Sequence, residues 1–186
     1  MVDTSIWVNN RTIYLSSDIR KLSVGEINSS LLNLIETDDK EDKKLKEYTR
    51  DSIKIYVNSY GGSVYDMWST IDIILNSKTP IHTYCTGYAM SAGLSIYLAG
   101  HKRYASEHAT FLYHQLSSWM SGTYQDLIQE VAESTRLQNE IEKYTIIRTK
   151  ITQEKLDQIR KEKFNWFIPT QEAIELGIVD EMIKSE

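Results

Sequence analysis

IKIYVNSYGGSVYDMWSTIDIIL, residues 53–75, passes from one structural period to another within a single stretch. Ile53, Ile55 and Val57 alternate with Lys54 and Tyr56, as in a strand with one buried face. The run stops at Asn58-Ser59-Tyr60-Gly61-Gly62, a dense turn signal. From Val64 the apolar residues Val64, Met67, Ile71, Ile74 and Leu75 recur at helical spacing. Pro80 is expected to end that helix, and IHTYC, residues 81–85, reads as the next strand. Strand, turn, helix and strand in this order make the βαβ pattern of a largely parallel sheet. Chemistry in such sheets collects where strands end and helices begin. Gly61-Gly62 stands at one such junction.

GYAMSAGLSIYLAG, residues 87–100, stands at the next. It reads as a turn followed by a buried helix, too short and too glycine-interrupted to span a bilayer. It holds Ser91, with Gly87 and Gly93 close by, and two readings of that serine stay open. A serine among small residues most often packs. At a helix N-terminus, however, free N–H groups and the positive dipole end stabilise negative charge, as a nucleophile requires. Acyl transfer by serine also needs a base, a group to orient it, and amide donors for the oxyanion. The candidate bases are His82, His101, His108 and His114. His82 lies within a strand, and His101 and His108 lie in a polar connection. His114 ends the β-run begun at Phe111, at another strand edge. No two histidines are spaced i, i+3 or i, i+4, so no helical metal pair is indicated and no metal or cofactor is expected. GxxxxGK[ST] is absent, so no nucleotide-hydrolysing site is indicated. Gly61-Gly62 reads either as a plain turn or as a concavity of amides suited to an anion.

Outside these junctions, TIYLS at 12–16 is β-rich. Leu31 to Ile35 lies in a helical pattern that decays into DDKEDKKLKEYTRD, residues 38–51. That run mixes both charge signs and is expected to be a solvated loop or exposed helix end. Thr123 suits the N-cap of a long helix to about Arg148, with Leu127, Val131, Leu137, Ile141 and Tyr144 near one stripe. Thr170 opens a last short helix that Gly177 stops. With 186 residues, 41% hydrophobic and 25% charged, the chain fits one soluble domain over 1–186. A net charge of −5 gives no reason to expect a nucleic-acid or anionic-membrane partner. Cys85 is the single cysteine, which rules out an internal disulfide and fits a reducing compartment. The start, MVDTSIWVNN, lacks the basic flank and apolar core of a secretory signal, so a cytoplasmic location is expected.

Taken together these motifs resemble the Clp protease proteolytic subunits, the ClpP-type serine peptidases, over about residues 12–183. The serine box resembles TYCTGYAMSAGL (83–94), the histidine box RYASEHATFLYHQ (103–115), the Gly-Gly turn NSYGG (58–62), and the closing signature FIPTQEAIELGIVDEMI (167–183). The resemblance implies an α/β fold of the ClpP/crotonase type, with repeated ββα units, a largely parallel sheet and a protruding handle helix at about 115–150. It implies Ser91 as nucleophile, His114 as general base, and the backbone N–H groups of Gly62 and Ala92 as the oxyanion hole. It further implies peptides or unfolded chains as substrates, a seven-membered ring stacked as two, and an AAA+ ATPase as feeding partner.

The chain also departs from the family pattern. Aligning the closing signature puts Asn165 where aspartate is expected as orienter of the base. Glu162 in that role, a slow enzyme, and a non-catalytic ring scaffold are the alternatives this raises. Leu116 stands where proline is common. Residues 38–51 look like a charged insertion, and SSWMSG (117–122) replaces a more glycine-rich strand. The segment before the first strand is short for axial loops that would gate an unfoldase. A crotonase-like acyl-CoA enzyme would share the fold and a backbone oxyanion hole, but its chemistry typically uses carboxylates and leaves Ser91 and His114 idle.

Overall fold

The computed structural model describes residues 6–183. In chain order the elements are β1 (Ile6–Asn9), β2 (Thr12–Leu15), α1 (Lys21–Lys44), β3 (Ile53–Val57), α2 (Val64–Leu75), β4 (Ile81–Cys85), β5 (Tyr88–Met90) and α3 (Ala92–Ala99). β6 (Lys102–Ala105), β7 (Thr110–Tyr113), α4 (Tyr124–Arg148), α5 (Gln153–Glu162), β8 (Trp166–Pro169), α6 (Thr170–Glu175) and β9 (Glu181–Met182) follow. Six strands form one sheet in the order β1-β2-β3-β4-β6-β9, parallel except for β1 against β2. A second sheet, β5-β7-β8, pairs β5 parallel and β8 antiparallel to β7. Each step through the middle of the chain thus lays a strand in the large sheet and then one in the small. This is the expected ββα architecture.

Period-two alternation divides the large sheet into two faces. Ile13, Leu15, Ile53, Ile55, Val57, Ile81, Cys85 and Ala105 are buried in the core with Ile27 and Leu31 of α1, Met67, Ile71 and Ile74 of α2, and α3. On the other face Tyr14, Tyr56, Tyr84 and Tyr104 stack in line, with centroids 4.9, 4.9 and 4.7 Å apart. All eight residues of α3 are buried, as an apolar helix without a polar face must be.

Several sequence expectations need correction. α2 stops at Leu75, with Asn76 as its C-cap, and a Ser77–Thr79 turn separates it from Pro80. Residues 87–100 include a short strand, β5, as well as the buried helix. The chain enters the sheet before Thr12, through β1, and residues 1–5 of the segment read as short lie outside those described. The charged run at 38–51 is mostly the exposed helix end and loop expected, with Asp38 as the exception. α1 extends to Lys44, and Asp38 is fully buried, accepting from Arg11 Nη1 and Nη2, Thr79 Oγ1 and Tyr48 Oη. Arg50 pairs with Asp39 and Asp42 at 2.7 Å each. The run is a polar clasp that ties the end of α1 to the start of two strands. SSWMSG forms no strand, and its Trp119 is 89% exposed.

α4 behaves as read. Thr123 caps it in a reciprocal box with Asp126. Its first half is exposed, with Tyr124, Ile128 and Val131 facing solvent, while Leu137 and Tyr144 in the second half are buried. That is a helix anchored at one end and protruding at the other. Among the described residues no helix is long and apolar enough to cross a membrane.

Candidate active site

Ser91 occupies the single residue between β5 and α3, with φ 53° and ψ −124°. A non-glycine residue there carries backbone strain and persists only where its surroundings hold it. They do so closely. The Ser91 N–H donates to Leu112 O at 2.9 Å, and Ser91 O accepts from Ser95 N–H at 3.2 Å. A Cβ on Gly61 would lie 2.8 Å from both Ser91 Cβ and Met90 O, and one on Gly93 would lie 2.9 Å from Ser59 O. These glycines allow the NSYGG turn and the serine turn to touch backbone to backbone. Gly87 performs the same service toward the side chain of Asn58.

β7 lies beside β5 and delivers His114 one residue past its end. His114 Nε2 is 2.8 Å from Ser91 Oγ. Both residues, with Gly62, Val64, Met67, Ala92 and Ile141, line a cavity of about 320 Å³. Gly62 has φ 147°, and a Cβ there would run into the carbonyl oxygen of Ile19. Only glycine fits this position, and the residue lines the cavity. Ala92 is the first residue of α3, where the N–H has no intrahelical acceptor. Among the described residues neither the Gly62 nor the Ala92 N–H has a partner. A strained serine, a hydrogen-bonded imidazole and two residues whose amides have no partner among the described residues therefore line one cleft.

The model of the Clp protease family matches residues 3–186. The chain belongs to the Clp protease family. It is 31% identical to ATP-dependent Clp protease proteolytic subunit 4 of Rhodococcus jostii over 180 residues, covering 95% of this chain and 86% of that relative. It is 28% identical to the ATP-dependent Clp protease proteolytic subunit of Deinococcus radiodurans over 178 residues (95% and 81%), and 30% to that of Porphyromonas gingivalis over 178 residues (94% and 74%).

Asn165, the expected orienter of the base, lies next to His114. The antiparallel register of β7 and β8 pairs Tyr113 with Trp166, so His114 and Asn165 emerge side by side from that end of the small sheet. They line a common cavity of about 210 Å³ together with Lys163 and Phe164. No hydrogen bond joins them. Among the described residues the Asn165 side chain has no hydrogen-bond partner, and His114 bonds through Nε2 alone. Glu162 lies in the last turn of α5, exposed and accepting from Gln158 Nε2. It does not line either cavity at His114.

The other histidines lie elsewhere. His101 Nδ1 accepts the Ile81 N–H at 2.9 Å, and His82 rests near the ring of Tyr104 on the tyrosine face. Burial lowers the pKa of both, helped by Arg148 for His101 and by Lys102 for His82. Cys85 is buried at the end of β4, which pushes its thiol up to about 12.

Sequence reading missed the side chains behind the His114 loop. Gln138 and Glu142 are both buried on α4 beside Leu137, Ile141 and Tyr144. The available signal was a polar pair at i, i+4 bordering an apolar stripe. Burial also pushes the Tyr113 hydroxyl well above its ordinary range, with the charge of Glu142 adding to the effect.

Proposed function

We propose that this chain is a serine endopeptidase that cleaves peptide bonds through an acyl-enzyme. The observation that carries the reading is the 2.8 Å contact of His114 Nε2 with Ser91 Oγ beside the amides of Gly62 and Ala92. Ser91 Oγ attacks the scissile carbonyl while His114 Nε2 takes its proton. The oxyanion develops beside the two amides, which are held by the backbone and need no reorganisation. One such donor is worth about 2.7–4 kcal/mol. His114 then protonates the leaving amine as the C–N bond breaks, leaving an ester on Ser91. Water, deprotonated by His114, hydrolyses that ester and regenerates the serine. Asn165 is the orienting group in this scheme. Its carbonyl is the acceptor nearest in sequence register to the free edge of the imidazole, but it makes no bond there in the structure and adds no charge to stabilise the imidazolium. The same change from aspartate in a chymotrypsin-type enzyme lowers kcat by about 10⁴.

The relatives' names, ATP-dependent and proteolytic subunit, support a multi-subunit particle that works with an ATPase; the family resemblance extends this reading to a seven-membered ring, stacked as two through the exposed half of α4, that receives unfolded chains from that partner. It works in the cytoplasm, where Cys85 remains a thiol.

A fluorophosphonate probe tests the chemistry. Labelling at Ser91, abolished by His114→Ala and accompanied by hydrolysis of a fluorogenic peptide, is the expected result. Turnover of acyl-CoA without peptide hydrolysis would instead support a crotonase-like enzyme. No labelling and no turnover would mark a ring scaffold, the reading that the unbonded Asn165 favours.

A further inference from the structure

We propose that Gln138 and Glu142 are positioning residues, which hold the loop carrying His114 and the segment carrying Asn165 in one frame. The proposal rests on the peptidase reading above and adds two residues to it.

β7 ends at Tyr113, and residues 114–123 form no regular element, so no strand ladder fixes the backbone that bears the base. Side chains of α4 do this instead. The Leu116 N–H donates to Gln138 Oε1 at 2.7 Å. The other end of that amide donates from Nε2 to Glu142 Oε1 at 2.9 Å and to Tyr113 Oη at 3.4 Å. Gln138 thus holds the chain on both sides of His114. Its orientation follows from its neighbours, because the Leu116 N–H requires an acceptor and the Glu142 carboxylate requires a donor.

Glu142 extends the link to α5. Its Oε2 accepts from Gln153 Nε2 at 2.9 Å, and Arg160 Nη1 lies 3.5 Å from its Oε1. α5 is capped by Lys163 in a left-handed conformation, φ 54°, two residues before Asn165. A single carboxylate, 4% exposed, therefore joins the base-bearing loop to the orienter-bearing segment. Well-packed apolar residues are often at least as stable as such a buried ionic group. Its place here is explained by what it aligns. Alignment matters more than usual in this chain, since Asn165 does not hold the imidazole. A misplacement of about 1 Å at a reacting group is enough to lower a rate about 10²-fold.

The test compares Gln138→Met, which removes both hydrogen-bonding ends at similar volume, with the exchange Gln138→Glu plus Glu142→Gln. The exchange keeps an acceptor for Leu116 N–H and a donor–acceptor pair between the two side chains. Gln138→Met is expected to lower kcat for a fluorogenic peptide about 10- to 100-fold while KM moves less than about twofold. Fluorophosphonate labelling of Ser91 slows in parallel, and the Leu116 amide exchanges with solvent at least about tenfold faster. Gln138→Glu alone sets two carboxylates together and fails similarly, whereas the exchanged pair recovers most of the loss. Glu140→Gln, on an exposed part of the same helix, changes none of these readings.

Wild-type kcat and Leu116 exchange in Gln138→Met would overturn the proposal, as would an exchanged pair no better than Gln138→Glu. If the wild-type chain neither labels nor hydrolyses, the peptidase reading has failed separately. Unchanged Leu116 protection in Gln138→Met then overturns the positional role on its own. Should Gln138→Met not fold, the comparison of the exchanged pair with Gln138→Glu decides.

Discussion

Replacing Asn165 with aspartate would place a negative charge beside the edge of His114 that bonds to nothing among the described residues. The gain follows from charge and exposure. At a separation of roughly 4 Å, an ion pair is worth about 1 kcal/mol in bulk water and about 4 kcal/mol at the effective dielectric near a protein surface. Asn165 is exposed, and the cavity it shares with His114 opens to solvent. The benefit therefore falls within that range and below the roughly 10⁴-fold effect of an enclosed triad. At 1.36 kcal/mol per decade, the expected rise in kcat is about 5- to 10³-fold. The assay is steady-state hydrolysis of a fluorogenic peptide, with the fluorophosphonate labelling rate measured in parallel. Both should rise together, KM should change little, and the gain should vanish in His114→Ala. A folded Asn165→Asp variant whose kcat stays within about twofold of wild type would refute the placement of Asn165 beside the base.

Other consequences can be checked as directly. Gly62→Ala forces a Cβ against the Ile19 carbonyl at a positive φ; it should lower stability by at least about 1–3 kcal/mol in urea unfolding and reduce probe labelling of the fraction that folds. Asp38→Asn strips a buried partner from Arg11 and should cost about 3 kcal/mol, at the low end because Arg11 keeps 24% of its side-chain surface in water. Burial alone would raise the Asp38 pKa, but bonds from Arg11, Thr79 and Tyr48 outweigh it and hold the pKa below its ordinary 3.8. The clasp is therefore fully present above about pH 4 and is lost as pH falls through the lowered native value, so the stability gap between wild type and Asp38→Asn should narrow in acid. Cys85 should resist a thiol reagent in the native protein and react at once after denaturation, since burial holds its thiol near 12. Ile128→Asp, on the exposed half of α4, should leave the melting temperature within the small range typical of surface changes yet lower the assembled mass in sedimentation.

Where one physical cause dominated, the sequence was readable. Ile53–Val57 and the Val64–Leu75 stripe declare themselves because one face of each is buried against apolar neighbours. Thr123 announces its helix because a capping hydroxyl has a local task. Ser91, His114, Gly61 and Gly62 were legible as junction residues, and the family motifs singled them out. The clasp at 38–51 was not, because a buried aspartate and a solvated one look alike until Arg11, Tyr48 and Thr79 arrive from three distant segments. β8 escaped for a related reason. Its pattern is short, with only Ile168 buried, and it gains strand character by pairing with β7. Gln138 and Glu142 were hidden by the opposite effect, since a polar residue beside an apolar helix stripe carries no sign of its own burial.

The four phenol rings along the large sheet give the molecule an optical gauge of its own. Tyr14, Tyr56, Tyr84 and Tyr104 come from four different strands and sit within 5 Å of the next in line. Transition dipoles that close exchange excitation and produce a coupled near-ultraviolet dichroism that isolated tyrosines lack. A slip of any one strand by a single residue would turn its ring to the opposite side of the sheet and break the chain of chromophores. The strength of that band therefore monitors, without any added label, whether all four strands have docked in their proper alignment.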